Sequence, residues 1–317
     1  LVGSEMCIRD RGGIISPLLA NIYLHELDKF VMKLKSEFDT PGVGQITPEY
    51  RELHNEIKRL SHRLTKVTGE EREMVLAEYK PKRQKLMTIP CTAQTDKKLK
   101  YVRYADDFLI AVKGSREDCK WIKSKLAEFI GDTLKMELSE DKTLITHSSK
   151  CARFLGYDVR VRRSGKIKRG GPGHVKMRTL NGGVELLVPL NDKIRQFVFT
   201  KGVAIQKKDG SMFPVHRKYL VGLTDLEIVS VYNAELRGIC NYYGMASNFC
   251  KLHYLAYLME YSCLKTLASK HKTSLSKTID KFNDGTGKWG IPYETKQGNK
   301  RRYFANYADC KGKGPAT

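Results

Sequence analysis

The stretch that decides the fold is Tyr101-Val102-Arg103-Tyr104-Ala105-Asp106-Asp107-Phe108-Leu109-Ile110. Two adjacent carboxylates, Asp106 and Asp107, separate two apolar runs rich in β-forming residues, which predicts a hairpin with the acids at its tip. Neighbouring residues of a strand point to opposite faces, so the two acids cannot share one ordinary inward or outward position. A tight turn that directs a carboxylate into a cleft suits Mg²⁺, which takes oxygen ligands and usually one or two carboxylates together with substrate phosphates. An Asp-Asp turn without a ligand is the alternative, because aspartate is common in turns.

The residues around this hairpin show mostly helical periodicity. Ser16 is expected to cap a helix that continues past Leu34, and residues 50–80 are expected to form a charged helical hairpin whose second helix ends near Tyr79, before Pro81. The remaining predicted elements are a helix over Arg116–Gly131, short strands over Leu134–Leu138, Thr143–Thr146 and Cys151–Val161, and helices from about Pro189 to Lys281 with a glycine-containing break near 202–210.

The charge balance indicates a polyanionic partner. The 317 residues include 57 Lys and Arg against 35 Asp and Glu, a net charge of +22. An excess of this size is typical of proteins that bind nucleic acid or an anionic membrane surface. No apolar run approaches the roughly 18 residues of a spanning helix, and no terminal helix has a lysine-rich amphipathic face, so we expect no membrane partner. A generic basic protein, such as a ribosomal one, is the alternative that composition leaves open.

The positive charge is concentrated in one segment. Residues 159–178 contain no acidic residue, and their glycines predict a flexible loop with the composition of a phosphate-binding surface. This segment holds eight basic residues: Arg160, Arg162, Arg163, Lys166, Lys168, Arg169, Lys176 and Arg178. A loop that is merely soluble is the alternative. The eight cysteines are scattered without a C-x-x-C pair or a zinc-like spacing, which fits a reducing cytoplasm.

Five motifs, in order along the chain, give a resemblance to a known family. Tyr104-Ala105-Asp106-Asp107 resembles the metal-binding signature of reverse transcriptases. The other four are Gly12-Gly13-Ile14-Ile15-Ser16-Pro17-Leu18-Leu19-Ala20-Asn21-Ile22-Tyr23-Leu24, Leu138-Ser139-Glu140-Asp141-Lys142-Thr143, Phe154-Leu155-Gly156-Tyr157 and Arg237-Gly238-Ile239-Cys240-Asn241-Tyr242-Tyr243. Together they resemble the group II intron reverse transcriptase/maturase family over about residues 12–280. The long insertion before Tyr104 is most similar to the subgroup related to mitochondrial intron proteins.

The resemblance implies an α+β fold, in which a partial polymerase palm (an antiparallel sheet with helices) precedes an all-α thumb/maturase domain. The expected palm is 12–180, with a helical insertion at about 35–98, and the expected thumb is 181–281. We expect 282–317 to be a basic, poorly ordered tail or linker. Residues 1–11 match nothing in the family and resemble a translated adapter.

The resemblance also implies site residues for an RNA-directed DNA polymerase that uses Mg²⁺, dNTPs and an RNA template with a DNA primer. Asp106 and Asp107 would ligate metal, and Lys142 would protonate or neutralise the departing pyrophosphate. Nucleotide binding would fall to Gly12, Gly13, Tyr104 and Ala105, and the primer grip to Phe154, Leu155, Gly156 and Tyr157. Intron RNA would be bound by Arg160, Arg162, Arg163, Lys166, Lys168, Arg169, Arg237, Asn241, Tyr242 and Tyr243.

Alternatives remain for several of these residues. Lys142 could be a solvated turn lysine, the 154–157 motif could have a packing role at the same time, and one of Tyr242 and Tyr243 could belong to the helix core. The family's fingers and an earlier metal-binding Asp would precede residue 12, so we expect this chain alone to be inactive as a polymerase. An RNA-binding splicing cofactor without polymerase activity is therefore the second functional hypothesis. A metal-dependent nuclease is disfavoured, because no further ligands accompany Asp106. Cys310 stands alone, so the family's C-terminal nuclease domain is expected to be absent or truncated.

Overall fold

The computed structural model describes residues 15–310 except 41, 43, 44, 93–95, 140, 165, 171–174, 178 and 180. The chain divides into two compact units. Unit 1 comprises the described residues up to Lys150 together with Arg162–Gly183, and unit 2 comprises Cys151–Val161 and the residues from Val184 onwards. Residues 151–161, which the sequence places in the palm, therefore pack with the helical second half of the chain.

Unit 1 is built from two helices and the hairpin that carries the adjacent acids. Helix α1 spans Ser16–Phe38, strands β1 and β2 span Lys98–Tyr104 and Asp107–Lys113, and helix α4 spans Arg116–Asp132. A capping box at Ser115, in which Ser115 and Asp118 satisfy each other's backbone N–H groups, begins α4. The buried core consists of Leu27, Val31, Leu34 and Phe38 from α1, Leu99 from β1, Ile122, Leu126 and Ile130 from α4, and Leu134.

A helical hairpin is inserted between α1 and β1, as the heptad seam predicts. Helix α2 spans Pro48–Leu64 and helix α3 spans Gly69–Leu86, with Ile57 and Val75 buried between them. The predicted end near Tyr79 is wrong, because α3 continues through Pro81. A proline inside a helix removes one backbone donor and bends the axis, and a long exposed helix tolerates this.

Two other local expectations in unit 1 differ from the structure. The segments 134–138 and 143–146, predicted as strands, have no regular secondary structure. They lack a neighbouring strand to pair with, and a strand has no stable backbone hydrogen bonding by itself. In α1, Ser16 is the first helical residue rather than the cap, and the apolar residues Leu18, Leu19 and Ile22 are exposed while the second half of the helix is buried.

Unit 2 is mainly helical, with three small antiparallel sheets. Helices α5 (Arg195–Thr200), α6 (Asp225–Tyr242), α7 (Leu252–Lys270) and α8 (Leu275–Phe282) surround a core to which α7 alone contributes ten buried residues. The sheets pair β3 (Ala152–Phe154), β4 (Tyr157–Val161) and β7 (Val184–Leu187); β8 (Ala204–Gln206) and β9 (Met212–Pro214); and β10 (Gly290–Thr295) and β11 (Gly298–Tyr303).

The segment after Phe282 is folded as far as Cys310, contrary to the expected poorly ordered tail. Trp289 and Ile291 are buried in the unit 2 core, and the Trp289 indole donates to Glu260 Oε1 at 2.8 Å. The buried side chain of Asn233 donates to Tyr303 O at 2.8 Å and accepts from the backbone N–H of Ala305 at 2.7 Å. The buried side chains of Trp289 and Ile291 and the hydrogen-bonded amide of Asn233 stabilise a segment whose composition is otherwise polar.

Two further features concern the chain as a whole. Between residues 15 and 310, where the structure describes the chain, no helix is long and apolar enough to cross a membrane. The basic segment predicted as a flexible loop contains a short hairpin of β5 (Lys168–Gly170) and β6 (Val175–Met177) in unit 1.

Candidate metal site and nucleic-acid interface

The adjacent acids lie at a hairpin turn, as predicted. Tyr104 pairs with Asp107 at the ends of β1 and β2, so Ala105 and Asp106 form a two-residue turn, hereafter the carboxylate turn. Ala105 has a φ of 53°, in the left-handed region that non-glycine residues seldom adopt. Both aspartates are exposed. The pairing of the two apolar runs therefore presents two carboxylates to solvent at one end of the hairpin.

Arg103 holds the carboxylate turn from behind. Its guanidinium donates from Nη1 to Ala105 O at 2.7 Å and to Asn21 Oδ1 at 3.0 Å. The same side chain forms a two-pronged ion pair with Asp28, with Nε–Oδ1 at 2.8 Å and Nη2–Oδ2 at 2.7 Å. Tyr101 donates its hydroxyl to Asp28 Oδ1 at 2.8 Å. The turn is thereby tied to α1 by a planar, five-donor group that matches a carboxylate geometrically.

This network perturbs the titration of its members. The hydrogen bond from Arg103 is the largest cause of the lowered pKa of Asp28, and partial burial raises the pKa of Tyr101. Asn21, Asp28 and Arg103 are not among the site residues that the sequence predicted. Asn21 and Asp28 are seven residues apart on α1 and so share one helix face, and Arg103 shares a strand face with Tyr101. Those spacings are the signal that could have found them.

The donor set at the turn fits a divalent cation that also has other ligands. Neither the Asp106 nor the Asp107 carboxylate has a hydrogen-bond or ion-pair partner within the described residues. No group of three or more His, Cys, Asp or Glu side chains is found in that part of the chain, so these two carboxylates would supply only part of a coordination sphere. Mg²⁺ commonly binds in this way, through one or two carboxylates with water and phosphate oxygens.

The structure brings only some of the predicted nucleotide-site residues to this turn. Tyr104 and Ala105 flank the acids and are exposed. Lys142 is exposed in an irregular segment that Lys123 ties to α4 by donating to Thr143 O at 2.7 Å. Among the described residues, no hydrogen bond or ion pair joins Lys142 to the acids. Gly12 and Gly13 lie outside the described residues.

The predicted primer grip forms a second two-residue turn, in unit 2. Phe154 pairs with Tyr157 at the ends of β3 and β4, and the turn residues Leu155 and Gly156 have φ of 46° and 73°. Two positive φ values in succession are the pattern of a type I′ hairpin turn, whose twist matches that of the strands. We call this the 155–156 turn.

Tyr242 and Tyr243, at the end of α6, support the 155–156 turn. Tyr242 donates its hydroxyl to Leu155 O at 2.6 Å, and Tyr243 donates to Gly156 O at 3.2 Å. Tyr157 in turn donates to Tyr242 O. A Cβ at Gly156 would lie 3.1 Å from Tyr242 Oη, so this position has both a steric and a conformational reason to be glycine.

The three tyrosines form a compact aromatic cluster. The ring centroids of Tyr157, Tyr242 and Tyr243 lie 5.0–5.7 Å apart. Tyr243 is buried, whereas Tyr242 is exposed. The structure thus gives both tyrosines a packing contact, and their contact with RNA stays a prediction.

The predicted RNA-binding cations are placed unevenly. Arg237 and Asn241 are exposed four residues apart on one face of α6. Arg163 and Lys166 are exposed, Arg162 is half-buried, and Arg160 forms an ion pair with Glu185 at 3.1 Å. The side chains of Lys168 and Arg169 lie outside the described ones. Arg160 is therefore a weaker candidate for phosphate contact than Arg163, because its charge already has a partner.

Two family models match the chain. Residues 80–159 match the model described as reverse transcriptase (RNA-dependent DNA polymerase), and residues 184–309 match the model described as type II intron maturase. The first match includes both two-residue turns, and the second includes α6 with its tyrosines.

Curated relatives agree with these matches. The group II intron-encoded protein LtrA of Lactococcus lactis subsp. cremoris is 72% identical over 301 residues, which are 95% of this chain and 50% of the relative. A 91 kDa protein in the cob intron of Schizosaccharomyces pombe is 32% identical over 86% of this chain and 32% of its own length. Maturase K of Abies bracteata is 30% identical over 57% of this chain and 35% of its own length.

The chain belongs to the group II intron reverse transcriptase/maturase family. It spans about half the length of the LtrA protein that it matches. The maturase match extends to residue 309 and so includes the folded β10–β11 segment. The family's polymerases generally use a divalent metal.

Proposed function

We propose that this chain provides the metal-binding turn and the RNA-binding helical region of a group II intron reverse transcriptase that also acts as a splicing maturase. The observation that carries the proposal is the carboxylate turn, where Asp106 and Asp107 are exposed, without partners among the described residues, and held by Arg103. Two exposed acids side by side repel each other, and a bound cation would relieve that repulsion.

Mg²⁺ is the cation that these donors fit best, because it prefers carboxylate and phosphate oxygens to nitrogen or sulfur. When bound, it would supply charge neutralisation at the entering and leaving oxygens of a phosphoryl transfer. Asp106 would be the principal ligand, and Asp107 a second or supporting one. Tyr104 and Ala105 would lie beside the incoming dNTP, with Gly12 and Gly13 allowing close backbone approach.

The other predicted contacts are assigned to the primer, the template and the intron. The 155–156 turn, with Phe154 and Tyr157, would press on the DNA primer backbone, and Lys142 would act on the departing pyrophosphate. Intron RNA would contact the basic residues after Arg160 and the α6 face of Arg237 and Asn241. A bacterial cytoplasm is the setting we propose, and the described cysteines are free thiols there.

An RNA-binding splicing cofactor without polymerase activity is the second candidate. It is favoured by the fact that only two carboxylates come together in the part of the chain that the structure describes. On that ground we expect the 317-residue polypeptide alone to give no primer extension. Magnesium-dependent cDNA synthesis by this polypeptide, lost in Asp106→Ala, would favour the first candidate and contradict this expectation.

RNA binding tests both candidates. We expect the polypeptide to bind a group II intron RNA equally well with and without Asp106→Ala, and to lose on the order of 10³-fold in affinity between 50 and 200 mM salt if about six phosphates are contacted. Filter binding at several salt concentrations measures the slope. Arg163→Gln should lower the slope more than Arg160→Gln, because Arg160 is paired with Glu185. A flat salt response would show that the positive charge only keeps the protein in solution.

A further inference from the structure

A row of tyrosines follows one face of α7. Tyr254, Tyr257 and Tyr261, hereafter the tyrosine stripe, are three and four residues apart, and Lys265 follows four residues later. This spacing places all four on one side of the helix. The rings of Tyr254 and Tyr257 are nearly parallel, with centroids 6.2 Å apart, and the centroids of Tyr257 and Tyr261 are 4.6 Å apart.

The β8–β9 hairpin extends this surface with a fourth ring. Phe213 lies on β9, and the Nζ atoms of Lys265 and Lys207 lie 3.7 and 4.6 Å from its centroid. Tyr254 donates its hydroxyl to Met212 O at 3.5 Å, and Lys265 donates to Pro214 O at 2.7 Å. These contacts are all within unit 2 and join the hairpin and the stripe into one surface.

Three of the four rings of this surface are open to solvent, and Tyr261 is half-buried. Tyr254 is 40% exposed, Tyr257 45% and Phe213 41%. Apolar rings gain free energy when they leave water, so several exposed rings side by side usually mark a binding surface. The opposite side of α7 contributes Leu255, Leu258 and Met259 to the core, so the helix is already anchored without the stripe.

The charges beside the rings select the kind of partner. Neither Lys207 nor Lys265 has a carboxylate within ion-pair distance among the described residues. Of the nearby acids, Glu260 accepts from Trp289, and Asp209 accepts from the backbone and hydroxyl of Ser211. The Ser211 hydrogen bonds lower the pKa of Asp209 most and the charge of Lys207 adds to this, so Lys207 and Asp209 interact without forming an ion pair. Burial and the neighbouring charge of Lys207 lower the pKa of Lys265. An anion bound beside Phe213 would reduce the repulsion between the ammonium groups of Lys207 and Lys265.

We propose that the tyrosine stripe and Phe213 form a stacking platform for an unpaired stretch of RNA, with Lys207 and Lys265 contacting its phosphates. Every base has a π face that can stack on an aromatic ring, whereas a duplex keeps its base faces inside the helix. An apolar protein partner would not account for two ammonium groups that have no carboxylate within ion-pair distance among the described residues. The inference rests on the proposed RNA-binding function and names the part of the RNA that this surface takes.

The first test replaces one ring. An unstructured 12-nucleotide RNA of mixed sequence with a 5′ fluorophore is titrated with the parent chain, Tyr257→Ala and Tyr257→Phe. We expect Tyr257→Ala to bind about tenfold more weakly, since stacking one base on a ring is worth roughly a factor of ten in affinity. Tyr257→Phe keeps the ring and should bind like the parent, because the Tyr257 hydroxyl has no partner among the described residues.

The second test addresses the proposed phosphate contact of Lys207, which belongs to the β8–β9 hairpin and not to α7. Lys207→Gln should reduce the slope of log affinity against log salt by about 0.7, the value for one phosphate contact in a single strand. Lys277→Gln on α8 is the matched control, because Lys277 is exposed in the same unit and lies off the surface described here. A blunt-ended RNA duplex of 12 base pairs, which has no unpaired bases, should be bound equally by the parent and Tyr257→Ala.

Crosslinking needs no variant and so does not depend on how a variant folds. A 4-thiouridine-containing version of the same 12-nucleotide RNA, irradiated with the parent chain, should yield adducts on peptides that contain Tyr254, Tyr257 or Phe213. The inference is overturned if the adducts lie only elsewhere, or if Tyr257→Ala binds the oligonucleotide as tightly as the parent; the stripe would then be a surface for a protein. The proposed function fails separately, if the parent chain shows no salt-dependent binding of any RNA.

Discussion

The carboxylate turn and the 155–156 turn both force a non-glycine residue into the left-handed region, with φ of 53° at Ala105 and 46° at Leu155. Each is held by side chains that donate to its carbonyl oxygens. At the carboxylate turn the donor is the Arg103 guanidinium, itself fixed by Asp28. At the 155–156 turn the donors are the neutral hydroxyls of Tyr242 and Tyr243.

The difference is that one turn depends on a charged pair and the other on neutral groups. The Arg103 guanidinium can hold Ala105 O only while Asp28 fixes and compensates its charge. Beside a turn that carries no charge, neutral hydroxyls fix the backbone without adding any. The two turns should therefore respond differently to substitution and to acid, and each can be tested separately.

Each unit of the chain carries its own fluorescent reporter, which makes the comparison measurable. The chain has two tryptophans, Trp121 in unit 1 and Trp289 in unit 2. Urea unfolding of the Trp289→Phe background follows unit 1, and unfolding of the Trp121→Phe background follows unit 2. This separation is needed, because two units need not unfold in one transition.

The largest effect is expected from Arg103→Leu. The substitution leaves the half-buried Asp28 without its ion pair and Ala105 O without its donor. Breaking a fully buried pair costs about 3–5 kcal/mol, and with solvent screening at this partly exposed site we expect about 2 kcal/mol less stability for unit 1. Lys29→Ala, which removes an exposed pair with Glu26 on the same helix, should leave the midpoint unchanged.

The pH dependence of this effect follows from the lowered pKa of Asp28. A carboxyl whose folded pKa is depressed contributes stability that is present above its unfolded pKa of about 4 and is lost as the pH falls through the folded value. The stability difference between the parent and Arg103→Leu should thus be constant near pH 7 and shrink below about pH 4. Equal differences at pH 3 and pH 7 would show that the Arg103–Asp28 pair does not support the carboxylate turn.

Gly156→Ala tests the other turn and should have the next largest effect. The new Cβ must adopt a φ of 73° and would lie 3.1 Å from Tyr242 Oη, so we expect a loss of about 2 kcal/mol for unit 2. Gly202→Ala is the matched control, with a φ of 63° in the same unit and nothing within 4 Å. It should lose only the conformational part, about 1 kcal/mol. Equal losses at the two glycines would mean that Tyr242 does not approach the turn closely.

Several parts of the fold were predictable from the sequence because they rest on local patterns. The acids between two apolar runs predicted the hairpin, and the heptad seam predicted the α2–α3 pair, since both signals lie within a few residues of each other. The continuation of α3 through Pro81 was not predictable, because a helix usually ends before a proline. Packing against the rest of the chain can override that preference, and the local sequence does not show it.

The supports of the two turns were harder to predict because their partners are distant in sequence. Arg103 meets Asp28 across 75 residues, and Tyr242 meets Leu155 across 87. The same reason applies to the segment after Phe282, whose order depends on Asn233 about seventy residues earlier. Periodicity describes one element at a time and contains no information about which elements meet.

Removing single hydroxyls from the tyrosine support should give a smaller effect. Tyr243→Phe deletes the donor to Gly156 O and keeps the buried ring, so we expect about 1 kcal/mol less stability for unit 2. Tyr242→Phe deletes the donor to Leu155 O, where water can replace it because the residue is exposed, so its effect should be smaller. Larger loss from Tyr242→Phe than from Tyr243→Phe would contradict this ranking.

The smallest change in stability is expected from glycine at Ala105, the left-handed residue of the carboxylate turn. Glycine at Ala105 and at Leu155 should change the free energy of unfolding in opposite directions. Ala105→Gly relieves a φ of 53° worth about 1 kcal/mol and loses a similar amount through the greater freedom of the unfolded chain. Unit 1 should therefore change by no more than about 0.5 kcal/mol, in the stabilising direction, because Ala105 is exposed and has no side-chain packing to lose.

Leu155→Gly makes the same backbone change and removes a half-buried side chain as well. The relief of backbone strain and the greater freedom of the unfolded chain nearly cancel, as at Ala105. The lost burial of the leucine side chain should therefore destabilise unit 2 by about 1 kcal/mol. The two single-tryptophan backgrounds report the two values independently. If both substitutions stabilise the protein, backbone strain is the larger contribution at both turns. If both destabilise it, Ala105 adopts its left-handed conformation without a conformational cost, held there by Arg103.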